Sequence, residues 1–64
     1  MEILKILKAL KNNKQISQQQ YRTYKGQVLS GDEVGCLKGL TKKKLIKPER
    51  AEELITQYAL AYTD

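Results

Sequence analysis

From Ile3 to Tyr62 the apolar side chains return at steps of three and four, which commits the backbone to helices and leaves no segment with the pattern of a strand. Ile3, Leu4, Ile6, Leu7 and Leu10 share one broad face of a first helix, with Lys5, Lys8 and Asn12 opposite. The short amides of Asn12 and Asn13 compete for backbone hydrogen bonds and weaken its end. Tyr21, Tyr24, Val28 and Leu29 form the apolar face of a second helix, and Val34, Leu37 and Leu40 that of a third. The fourth is the most regular, with Ala51, Leu54, Ile55, Tyr58 and Tyr62 on one side and Glu49, Glu52, Glu53 and Thr56 on the other.

Local signals place the helix ends. Ser17 and Gln20 have the spacing of a capping box, in which each side chain satisfies the other's free backbone N–H, and Ile16 just before the cap is placed to staple onto Tyr21. Gly31 suits the left-handed residue that ends a helix. Asp32 follows as an N-cap, with Glu33 in a first turn where the helix dipole favours an acid. Lys44 would enter the apolar face if the third helix ran on, so that helix stops near Lys42 or Lys43 and Leu45-Ile46 becomes an apolar link. Pro48 opens the last helix, where its missing N–H has no partner to lose. The expected fold is all-α, a single domain over 1–64, built as a compact bundle of three to four short helices at about 2–13, 17–30, 32–43 and 48–62. An echo of Tyr24-Lys25-Gly26 in Leu37-Lys38-Gly39 is too short to indicate a duplication.

A chain of 64 residues lies near the lower size at which one core holds a fold without metals or disulfides. With no histidine and one cysteine, Cys36, it lacks both a His/Cys zinc set and an internal disulfide pair, so a reducing, cytoplasmic setting is expected. Cys36 sits at the edge of the third apolar face and reads as a small buried hydrophobe, with a surface thiol as the alternative. Lysines interrupt the first apolar stretch at every third residue and no small-residue cleavage site follows, so it reads as a helix of the fold and not as a signal peptide. No apolar run approaches the roughly 18 residues that span a bilayer. A membrane partner is not expected. The net charge of +5 divides into +5 over residues 1–30, +3 over 31–47 and −3 over 48–64, an asymmetry compatible with a polyanionic partner or with solubility alone.

All four glycines fall within the stretch GQVLSGDEVGCLKGL, residues 26–40. The turn accounts for Gly31, but Gly26, Gly35 and Gly39 lie inside helices, where each costs about 1 kcal/mol relative to alanine. All three point away from the obvious core. Three readings compete: close packing of two helices within the fold, a strip of Gly35, Lys38, Gly39 and Lys42 that admits a partner protein or a second copy of the chain, and close approach of a phosphate backbone neutralised by Lys38, Lys42 and Lys43.

Placing Gly31 at the turn of a helix-turn-helix makes the third helix the recognition helix, but Gln27 then stands where a small residue is needed and Asp32 where an apolar one is. An ordinary helical hairpin fits better. The run TKKKLIK gathers Lys42, Lys43, Lys44 and Lys47, and with Lys38, Arg22 and Lys25 these make the candidate contacts to DNA or RNA. The tyrosines have core spacing, with hydroxyls at the boundary. No catalytic constellation, cofactor motif or small-molecule site stands out, since Glu49, Glu52 and Glu53 form a solvated helix face. Leu60, on that acidic face, and a first helix more apolar than a small core can cover favour self-association or docking on a larger protein.

The stretch QQYRTYKGQVLSGDEVGCLKGL, Gln19 to Leu40, resembles segments of small proteins from phages and mobile elements of Gram-positive bacteria. The resemblance covers a third of the chain and implies an accessory protein beside larger machinery, without carrying over any functional residue. The expectation is a non-enzymatic helical interaction module whose partner is an unidentified protein or a second copy of itself. The alternative is a basic nucleic-acid-binding accessory protein.

Overall fold

Four helices form where the periodicity places them: α1 Glu2–Asn12, α2 Gln18–Leu29, α3 Glu33–Lys42 and α4 Pro48–Ala61. The structure is a computed structural model that describes the backbone of residues 2–61 and the side chains of residues 2–59; the readings of Leu60 as an exposed leucine and of Tyr62 as a core tyrosine lie outside these. No strand is present among the described residues.

The capping box forms as the sequence predicts, with Ser17 N–H donating to Gln20 Oε1 (2.8 Å) and Gln20 N–H to Ser17 Oγ (3.1 Å). Asp32 caps α3 by accepting from Gly35 N–H at 3.1 Å through Oδ1, while its Oδ2 accepts from Gln27 Nε2 at 2.8 Å. The two residues that fit a helix-turn-helix worst therefore bond to each other and close the α2–α3 turn.

Three of the helices end in the same motif. At each end one N–H reaches back three residues and the next reaches back five, satisfying carbonyls that have no helical partner: Lys14 to Lys11 and Gln15 to Leu10, Gly31 to Val28 and Asp32 to Gln27, Lys44 to Thr41 and Leu45 to Leu40. The motif needs a left-handed residue. Gly31 supplies one at φ 93°, but after α1 and α3 the position is held by Lys14 and Lys44, both at φ 60°. A side chain there costs roughly 1 kcal/mol or more that glycine avoids.

That shared ending exposes a repeat with a period of thirty residues. LKALKNNKQI at 7–16 and LKGLTKKKLI at 37–46 match at Leu7/Leu37, Lys8/Lys38, Leu10/Leu40, Lys14/Lys44 and Ile16/Ile46. Burial follows the same register, since Leu7 and Leu37 are both fully buried, Leu10 and Leu40 are both in the core, and buried Ile3 has buried Glu33 as its counterpart. The chain thus runs twice through the same helix–turn–helix plan, α1–α2 and α3–α4. The short echo at Tyr24 and Leu37 joins positions that are not equivalent, and it hides this longer one.

The hairpins share a single core of Ile3, Leu7, Leu10, Ile16, Val28, Cys36, Leu37, Leu40 and Leu54, with Leu4, Ile6, Tyr21, Tyr24, Leu45, Ile46, Ile55 and Tyr58 packed around it. Burying a leucine such as Leu7 or Leu37 contributes roughly 1.5–3 kcal/mol. The first turn of α1 closes against α4, where Ile3 N–H donates to Tyr58 Oη at 3.4 Å and Arg50 pairs with Glu2 at 3.1 Å and with Glu53 at 3.1 Å. Two expectations need correction. The apolar face of α1 does not exceed the core, which covers Ile3, Leu7 and Leu10 and half-buries Leu4 and Ile6. Leu29 does not belong to the apolar face of α2, because that helix turns it outward and leaves it 66% exposed.

Candidate nucleic-acid interface

Residues 3–31 contain no acid. Within that span α2 buries only Val28 and half-buries Tyr21, Tyr24 and Gln27, so most of its surface is open. Its two tyrosines gather lysines from three elements. The Lys11 ammonium lies 4.5 Å from the centre of the Tyr21 ring and that of Lys25 lies 5.9 Å from the same ring, while Lys43, from the end of α3, stands 5.9 Å from Tyr24. The negative ring faces hold these cations without neutralising them.

The α3–α4 turn thereby comes up beside the start of α2. Ser17, Gln19, Gln20, Thr23, Tyr24 and Lys43 line one shallow depression of about 350 Å³. Lys14 and Lys44, at matching places in the two hairpins, are both exposed. Among the described residues Arg50 is the one basic side chain in an ion pair. The others are free to meet an anion from outside.

The residues nominated from the sequence divide between two faces. Arg22 and Lys25 lie on the open surface of α2, and Lys43 joins them across Tyr24. Lys38 and Lys42 face elsewhere, onto an apolar groove between α3 and α4 that is also lined by Thr41, Pro48, Ala51, Glu52 and Ile55. Glu52 makes that groove mixed in charge. Lys11 and Lys14, which sequence reasoning passed over, stand beside the start of α2 with Ser17 and Gln20; the thirty-residue register pairs Lys14 with Lys44, whereas Lys11 falls opposite Thr41 and only its contact with Tyr21 reveals it.

The helical glycines also separate. A Cβ on Gly35 would collide with the Asp32 carboxylate, so glycine there serves the cap of α3. On Gly39 it would sit 3.8 Å from the Tyr24 ring, an ordinary contact where α3 passes α2. Neither glycine points away from the fold as expected; both are half-buried. Gly26 alone lies exposed, and a Cβ there would meet nothing within 4 Å. No internal contact explains it.

Cys36 is fully buried, and burial together with the nearby Asp32 charge pushes its thiol up to about 11, so at neutral pH it is a protonated core residue. No group of three or more metal-ligating side chains occurs among the described residues, and none of the described helices is long and apolar enough to cross a membrane. No family model, curated protein or solved structure matches the chain.

Proposed function

We propose that this is a non-enzymatic accessory protein that binds the phosphate backbone of nucleic acid through the basic surface around α2. The observation that carries the reading is the convergence of Lys11, Lys25 and Lys43 on Tyr21 and Tyr24, from three elements, on a helix that itself contains no acid. Like charges gathered this way repel one another. An anion in contact with them lifts the repulsion and releases its own counterions, and this makes binding strongly salt-dependent.

Isotope-labelled protein titrated with a short generic DNA duplex at low and moderate salt tests the reading. The expected result is salt-sensitive amide shifts over Lys11 to Lys14, Tyr21 to Gly26 and Lys43 to Lys44, with affinity reduced in Lys43→Ala and Lys44→Ala. An affinity insensitive to salt and to both substitutions rejects it.

The α3–α4 groove favours a second reading, a protein partner. It sets the nominated Lys38 and Lys42 beside the apolar walls of Ala51 and Ile55. The strip through Gly35 and Gly39 no longer supports that reading by itself, because both glycines have internal neighbours. Pull-down with wild-type protein and an Ile55→Glu variant tests it, with loss of a specific partner in the variant as the expected outcome.

A further inference from the structure

We infer that α2 enters the major groove of duplex DNA, with Gln19, Arg22, Thr23 and Gly26 toward the bases and the lysines of both hairpins on the phosphates at either side. This rests on the nucleic-acid reading above and adds to it the form of nucleic acid and the element that reads it.

At 100° per residue, Tyr21, Tyr24 and Val28 fix the core side of α2, and the opposite strip runs through Gln19, Arg22, Thr23 and Gly26. All four are exposed, and none is acidic or large and apolar. Arg22 offers the fork of donors that matches a guanine edge, and Gln19 offers the donor and acceptor pair that matches an adenine edge. Thr23 presents a methyl group, although its hydroxyl already donates to Gln19 O at 3.1 Å. On one flank of this strip stand Lys11 and Lys25 above Tyr21, and on the other stands Lys43 above Tyr24. A helix between two rows of cations is complementary to a groove between two rows of phosphates.

Gly26 gains a reason in this arrangement. It lies inside a helix at a cost of about 1 kcal/mol, and nothing in the fold needs the missing side chain. A surface pressed against α2 does need it, because there the helix backbone can approach without a Cβ in between. DNA follows over RNA from groove shape: the major groove of B-form DNA is wide enough for an α-helix, whereas that of A-form RNA is deep and too narrow for side chains to read.

The test compares wild type, Gly26→Leu and Lys43→Ala against a DNA duplex and the RNA duplex of the same sequence, by fluorescence anisotropy at two salt concentrations. Gly26→Leu adds bulk into open space and improves helix propensity, so circular dichroism should show it folded and at least as stable as wild type. The expected result is that it loses roughly tenfold or more in DNA affinity and that wild type binds RNA duplex at least about tenfold more weakly than DNA. If Gly26→Leu binds DNA like wild type while Lys43→Ala is weakened, the lysines bind phosphate but α2 does not enter the groove. Equal affinity for the two duplexes overturns the inference in the same way and leaves the nucleic-acid reading standing. Absence of salt-dependent binding to either duplex overturns that reading as well.

Discussion

The two hairpins follow one plan and use their second helices differently. In α1–α2 the second helix carries Arg22 and Lys25, has no acid, and contributes one buried residue, Val28. In α3–α4 it carries Glu49, Glu52 and Glu53 and sets Ala51 and Leu54 in the core at the places where α2 has Tyr21 and Tyr24. The first helices and their turns are alike because each sends its leucines, Leu7 and Leu10 or Leu37 and Leu40, into the one shared core. The second helices differ because an outer face is constrained by whatever it meets and not by the fold. In this molecule the repeated part explains stability, and the departures from the repeat point to function.

The comparison breaks most severely at its most symmetrical positions. Leu7→Ala and Leu37→Ala should each destabilise by roughly 2–5 kcal/mol, close to the whole stability of so small a domain. Urea denaturation by circular dichroism checks it; a variant that retains one folded hairpin would show that the two do not share a core. Gly35→Ala should come next, losing roughly 1 kcal/mol as the Asp32 cap is displaced, whereas Lys5→Ala at the matching place in α1 should leave the melting temperature unchanged. Glycine at the left-handed positions acts the other way: Lys14→Gly and Lys44→Gly should each stabilise by roughly 1 kcal/mol, and unequal gains would mean that the two turns are not strained alike. Gly26→Ala should stabilise by a little less, about 0.5–1 kcal/mol, because its Cβ meets nothing.

A pH-dependent effect concerns Cys36, which stands where the first hairpin has Ile6. Its thiol is raised from an ordinary 9.0 to about 11, so above pH 9 the unfolded chain gives up this proton more readily than the folded one. The thiol contributes its full stability below pH 9 and loses it as pH rises toward 11. Chemical denaturation at pH 8 and pH 10.5 should therefore show a loss in wild type that is smaller in Cys36→Val.

Helix positions were legible because they rest on local rules. The Ser17/Gln20 box, the Asp32 cap, Gly31 and Pro48 each act within four residues of themselves, and all four formed as read. The repeat was harder to see because its halves match mainly in two ten-residue stretches, and its clearest sign is a backbone angle at Lys14 and Lys44 that lysine gives no reason to expect. The candidate surface was half legible. Composition marked the lysines, but only packing shows that Lys43 joins Lys11 and Lys25 at the tyrosines of α2 while Lys38 and Lys42 face α4. The helical glycines misled in a related way, since whether an exposed or a crowded space surrounds the missing Cβ is decided by residues elsewhere in the chain.

Because α1 begins beside α4, with Ile3 against Tyr58 and Glu2 against Arg50, the order of the hairpins along the chain is separable from the way they pack. A circularly permuted domain, opened at Gly31 and rejoined through a flexible linker between residues 61 and 2, should therefore reach the same architecture with the second hairpin synthesised first.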